Sequence, residues 1–115
     1  MYNSLILYRN ELKNRIIPKY KLIGIITELI YSKDIFAKNK DISNFVKDIF
    51  DIELKDYVVK SRTMIVAKIS KKIIGSESII DYKNKLYNFI SIQIETLKKN
   101  SDIKENKNEL DGWIK

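Results

Sequence analysis

Cysteine and histidine are both absent from this 115-residue chain. Without cysteine there is no disulfide framework and no thiol nucleophile. Without histidine the commonest general base and the commonest metal ligand are missing. Proline occurs once and glycine three times. That scarcity disfavours hairpins and points to helices joined by short polar turns. Long hydrophobic runs are also missing. The longest, residues 22–31, contains Gly24 and Glu28 and falls well short of the ~20 apolar residues that cross a bilayer. The start, Met1-Tyr2-Asn3-Ser4, has no basic region, and Arg9 and Glu11 interrupt the apolar residues that follow. It does not read as a signal peptide. The expected location is the cytoplasm, with no membrane partner.

The composition that remains is 44% apolar and 32% charged, enough to bury one modest core within a single domain. Isoleucine is abundant and would favour strands, but the apolar residues recur mostly at helical spacing. No internal repeat is present. The expected fold is all-α, a compact bundle of about five helices over residues 1–99 with no clear β wing. A polar and flexible tail is expected over residues 100–115, with Leu110, Trp113 and Ile114 forming an apolar exception near its end.

The first predicted helix covers residues 3–16, with Leu5, Tyr8, Leu12 and Ile16 on one face and Pro18 at its end or at the start of the next helix. The second covers 19–32. It carries Tyr20, Ile23, Ile26 and Ile30, widened by Leu22, Ile25 and Leu29, so it should lie deep in the core. A polar loop follows, with Ile35 and Phe36 turned inward. In the third helix Ile42, Phe45, Val46, Ile49 and Phe50 follow the amphipathic pattern without a miss, after a cap at Asn39 or Asp41. A turn at Asp51-Ile52-Glu53 leads to a fourth helix over 54–74, with Leu54, Val58, Ile65, Ile69 and Ile73 inward and Gly75 at its end. A fifth, capped by Ser76 or Ser78, runs to Lys99 and buries Ile79, Leu86, Phe89, Ile90 and Leu97.

The net charge is +7, from 22 basic and 15 acidic residues. Such a balance suits a polyanion such as nucleic acid. Lysine supplies most of it, as an AT-rich genome would encourage, so part of the charge is background. Its distribution is more informative. Residues 54–75 hold six cations against Asp56 alone, and residues 34–53 hold three cations against five anions. A short amphipathic helix (41–50), a turn and a basic helix (54–74) form a helix-turn-helix-like pair, in which the second helix enters the major groove. The candidate DNA contacts are Lys55, Lys60, Arg62, Thr63, Lys68, Lys71 and Lys72, with Arg9, Lys13 and Arg15 as accessory phosphate contacts. A solvated lysine face on an ordinary bundle is the competing explanation.

Arg62 is unusual among these. At about 100° per residue it falls in the middle of the apolar stripe of its helix. Burial would require a partner. The favoured expectation is an ion pair with an acid from 34–53; the alternative is a helix break near Ser61 that swings Arg62 outward. Catalytic chemistry is sparse. Glu53-Leu54-Lys55 matches the E-x-K fragment of some metal-dependent nucleases, but lacks the strand and further aspartate such sites need. The glycines are isolated, so no phosphate-cradling loop is present. Tyr57, Tyr82 and Tyr87 could stack on bases, although their spacing suits packing. No enzyme activity, cofactor or metal is expected.

Several stretches resemble the C-terminal region of RteC-like regulators, which are carried on conjugative elements of Bacteroidetes. They are Thr27-Glu28-Leu29-Ile30-Tyr31, Asn39-Lys40-Asp41-Ile42, Phe50-Asp51-Ile52-Glu53-Leu54-Lys55-Asp56-Tyr57 and Arg62-Thr63-Met64-Ile65-Val66-Ala67-Lys68-Ile69. The resemblance spans roughly residues 20–97. Lys55 stands where the family has glycine, and the basic run is displaced by a few residues. The resemblance implies a helix-turn-helix-like DNA-binding module with a role in transcription or mobile-element control. A homodimer would match two-fold operators, though no heptad seam demands one. The alternative is a non-enzymatic interaction module, a phage or plasmid accessory factor whose basic face docks on an acidic protein partner.

Overall fold

The computed structural model describes the backbone of residues 2–14 and 16–114, and side chains up to residue 100 with the same gaps. Six helices follow one another among these residues: α1 (Tyr2–Leu12), α2 (Lys19–Tyr31), α3 (Asn39–Phe50), α4 (Asp56–Val59), α5 (Arg62–Ile74) and α6 (Ile80–Ile114). The described residues contain no strand. The all-α bundle expected from periodicity is therefore present.

Helix α2 has a wide buried face, formed by Leu22, Ile25, Ile26, Leu29 and Ile30. It lies antiparallel to α5. Lys19 at its start reaches the carbonyl oxygen of Ile74 (3.0 Å), and the carbonyl of Ile30 near its end accepts from Arg62 (2.6 Å). Its neighbours meet it through Ile65, Ile69 and Ile73 of α5, all buried. The second antiparallel pair is α3 with α6. Phe45 meets Phe89 edge-on at 4.7 Å between ring centroids, and Phe50 meets Tyr82 at 4.8 Å. Phe36 from the preceding loop closes this cluster, 5.1 Å from Phe45 and 5.8 Å from Phe89. Helix α1 packs on α6. Lys83 of α6, whose stem is buried, donates to the Asn14 carbonyl (2.6 Å) just beyond α1.

Four boundaries differ from the sequence expectation, each for a local reason. Helix α1 stops at Leu12, ahead of Ile17, whose place before Pro18 disfavours helix. Ile17 is buried there in place of the expected Ile16, which is 86% exposed. The segment 54–74 is helical in two pieces. The β-branched pair Val58-Val59 weakens the first piece. Ser61, extended at φ −130° and ψ 114°, then caps the second by accepting from the Met64 amide (3.3 Å). The cap of α3 is Lys38, with no side-chain hydrogen bond; Asn39 is used elsewhere, as described below. Finally, α6 continues past Lys99 to Ile114, through the stretch read as a flexible tail. Between Gly75 and Gly112 the sequence has no glycine and no proline, so no strong helix breaker interrupts it.

Helix α3 ends on Asp51, the one non-glycine residue with positive φ among those described (φ 55°). Its amide donates to the Lys47 carbonyl (2.9 Å), which closes the last turn. Aspartate tolerates this left-handed geometry and β-branched residues do not. Asp51→Val is expected to lower the unfolding free energy by about 1–2 kcal/mol, while Asp51→Gly loses none; urea denaturation midpoints check the order.

Candidate nucleic-acid interface

Helix α5 carries Lys68, Lys71 and Lys72 but no acid. All three are exposed, and none forms an ion pair among the described residues. Lys55 and Lys60, at either end of α4, are exposed as well. The lysines of α5 line a shallow cleft of about 420 Å³ together with Ile52, Gly75 and Ser76. The helix beneath them is held at both ends. Ser61 caps its start. At its end the Lys19 ammonium donates to the carbonyls of Ile74 (3.0 Å) and Ser76 (2.6 Å), where a cation also complements the helix dipole. Lys19 thus adds positive charge beside the cleft. Nothing in the sequence marks it, because its partners lie 55 and 57 residues away.

Arg62 points inward, and its partner is not an acid. Its Nε donates to Asn39 Oδ1 (2.9 Å), and its terminal nitrogens donate to the carbonyls of Ile30 (2.6 Å) and Phe36 (2.7 Å). The helix break at Ser61 does occur, yet it does not swing Arg62 outward. Both outcomes anticipated for this residue are thereby replaced by a third, a hydrogen-bonded cation among carbonyls. Asn39 in turn donates to the Val59 carbonyl (2.8 Å). Thr63 is exposed, but its hydroxyl is bonded to that of Tyr31 (2.9 Å). Two of the candidate contacts on the first turn of α5 are therefore engaged within the protein.

The accessory residues lie apart from this face. Arg9 sits half-buried on α1, with its Nε shielded and unpartnered. Lys13 is exposed just beyond α1. Arg15 lies outside the described residues, as do the side chains of Leu110, Trp113 and Ile114. Tyr82 and Tyr87 pack against the core, whereas Tyr57 is 59% exposed beside α5. Its position on α4, which is only one turn long, hid this from helical spacing.

Helix α3 carries two acids, Asp41 and Asp48, and two lysines, Lys40 and Lys47. Asp41 and Asp48 border a cleft of about 520 Å³ floored by Phe36, Phe45 and Phe89. Lys47 pairs with Glu53 (2.8 Å). Their hydrogen bond and mutual charge raise the ammonium above its ordinary pKa and lower the carboxyl below its own. Glu53, the acid of the E-x-K fragment, is thus occupied by a lysine. Among the described residues no group of three metal-ligating side chains is placed to hold an ion, and no helix is long and apolar enough to cross a membrane.

No family model, curated protein or solved structure matches this chain.

Removing the Arg62 guanidinium leaves two carbonyls and Asn39 Oδ1 without a donor. Arg62→Ala is expected to cost about 2–4 kcal/mol. Arg62→Lys should recover only part of it, since an ammonium does not span three acceptors in a planar fork. Chemical denaturation of the two variants measures both.

Proposed function

We propose that this chain is a small cytoplasmic DNA-binding protein that holds duplex DNA non-covalently against the outer face of α5. The observation that carries this reading is the row of exposed lysines on one capped and well-anchored helix, none of them in an ion pair among the described residues. Three of them, Lys68, Lys71 and Lys72, share a cleft, and Lys55 and Lys60 extend the charge along α4. Ammonium groups that are not neutralised by neighbouring carboxylates are free to displace counterions from phosphates. Burial of Ile65, Ile69 and Ile73 fixes which side of α5 meets solvent, so the lysines are presented as a set. The resemblance to RteC-like regulators supports a role in transcription or mobile-element control, and a two-fold operator would call for a homodimer.

The interaction-module reading draws on a different observation. Tyr57, Met64 and Ile74 are also exposed on or beside α5, and such residues are common at protein interfaces. In that case the basic face would meet an acidic protein partner, and DNA affinity would be weak and unselective.

A salt series in fluorescence anisotropy separates the two. If α5 holds the duplex, the logarithm of affinity falls linearly with the logarithm of salt, and Lys68→Ala, Lys71→Ala and Lys72→Ala together reduce the slope by about 2–3, at roughly 0.9 per phosphate contact. An unchanged slope in the triple variant removes α5 from the interface.

A further inference from the structure

The outward crown of α5 is not polar throughout. Ile65, Ile69 and Ile73 define the buried side. At about 100° per residue, the opposite side is formed by Met64, Ala67, Lys71 and Ile74. All four are exposed, Met64 at 41% and Ile74 at 65%. Lys68 and Lys72 border this crown on one side, where they line the cleft with Ile52 and Ser76. Tyr57 and Val58 of α4 meet it across a groove of about 270 Å³ that is completed by Met64, Ala67, Lys68 and Lys71.

Side chains able to read bases by hydrogen bonding are not available on the first turn. Arg62 gives its donors to Ile30, Phe36 and Asn39. Thr63 is bonded to Tyr31. The lysines are flexible point charges, suited to phosphates, and phosphate contacts carry no sequence information of their own. What remains on the crown beside Lys71 is apolar, Met64 and Ala67 above all. In the major groove the apolar feature of DNA is the 5-methyl group of thymine, which alanine and other apolar side chains contact directly.

Building on the duplex-binding reading, we propose that α5 recognises thymine methyl groups through Met64 and Ala67, with Lys68, Lys71 and Lys72 clamping the adjacent phosphates. Selectivity then comes from van der Waals contact and desolvation of methyls, and the protein favours A·T-rich major grooves. Tyr57 lines the groove beside Met64.

Thymine and uracil differ only in this methyl, so the test exchanges one for the other. Anisotropy is measured for the full chain with an A·T-rich duplex and with the same duplex carrying uracil at every thymine, at equal salt. Loss of one contacted methyl is expected to weaken binding about fourfold, the fold-change that corresponds to burying one methylene-sized group. Met64→Gln, an exposed and nearly isosteric change that leaves Ala67 in place, should shrink the difference while preserving the salt slope and the thermal midpoint. Equal affinity for the two duplexes, with salt-dependent binding intact, overturns methyl readout and leaves duplex binding standing. A thymine preference that is undiminished in Met64→Gln also overturns it, since the preference would then reflect duplex shape and not contact with Met64. Absence of salt-dependent binding to either duplex removes both this proposal and the duplex-binding reading, and leaves the acidic-protein partner as the occupant of the face.

Discussion

The Arg62 guanidinium ties together the parts of the chain that surround it. Its three hydrogen bonds reach the last turn of α2, the loop before α3 and the first residue of α3. Through Asn39 the network extends to the end of α4. A cation is well placed there, because the Ile30 carbonyl belongs to the negative end of α2. Charge-assisted hydrogen bonds to oriented carbonyls compensate for the water that a half-buried guanidinium gives up. The arginine therefore acts as a structural bolt at the one place where the helical path breaks twice, between α2 and α3 and between α4 and α5.

This bolt also sets the aspect of α5. With Arg62 drawn inward, Ile65, Ile69 and Ile73 follow it onto α2 at helical spacing. Met64, Ala67 and Lys71 are then forced outward on the same screw. At the other end Lys19 fixes the last carbonyls of α5. Two cations from opposite ends of the α2–α5 pair are thus spent on backbone oxygens. The remaining basic residues of the region, Lys55, Lys60, Lys68, Lys71 and Lys72, are left in solvent. Positive charge and apolar surface end up side by side on one element, while Asp41 and Asp48 border a separate cleft between α3 and α6.

Much of the architecture was legible in the sequence. The buried set of α3 is the set its periodicity marks, and the buried isoleucines of α5 are likewise those at helical spacing. The core of α2 is also as read, except that Tyr20 lies exposed on its edge and Ile23 is half-buried. Less legible was the break at Ser61. The apolar spacing from Val58 through Ile65 runs on across it, so periodicity alone joins α4 to α5. The signal that could have found it is local: two β-branched residues, then serine ahead of a new apolar run, the signature of a helix start.

The sequence by itself determined the all-helical class, the apolar faces of the main helices and the concentration of cations between residues 54 and 75. These follow from spacing and composition, which are properties of neighbours along the chain. Only the tertiary structure decided which cations are free. Arg62 and Lys19 find oxygen acceptors that lie 23 to 57 residues away, and Thr63 finds Tyr31 across the α2–α5 contact. Whether a charged side chain binds a ligand or serves the fold depends on the acceptors that folding brings within about 3 Å of it, and that proximity is not written in the order of residues.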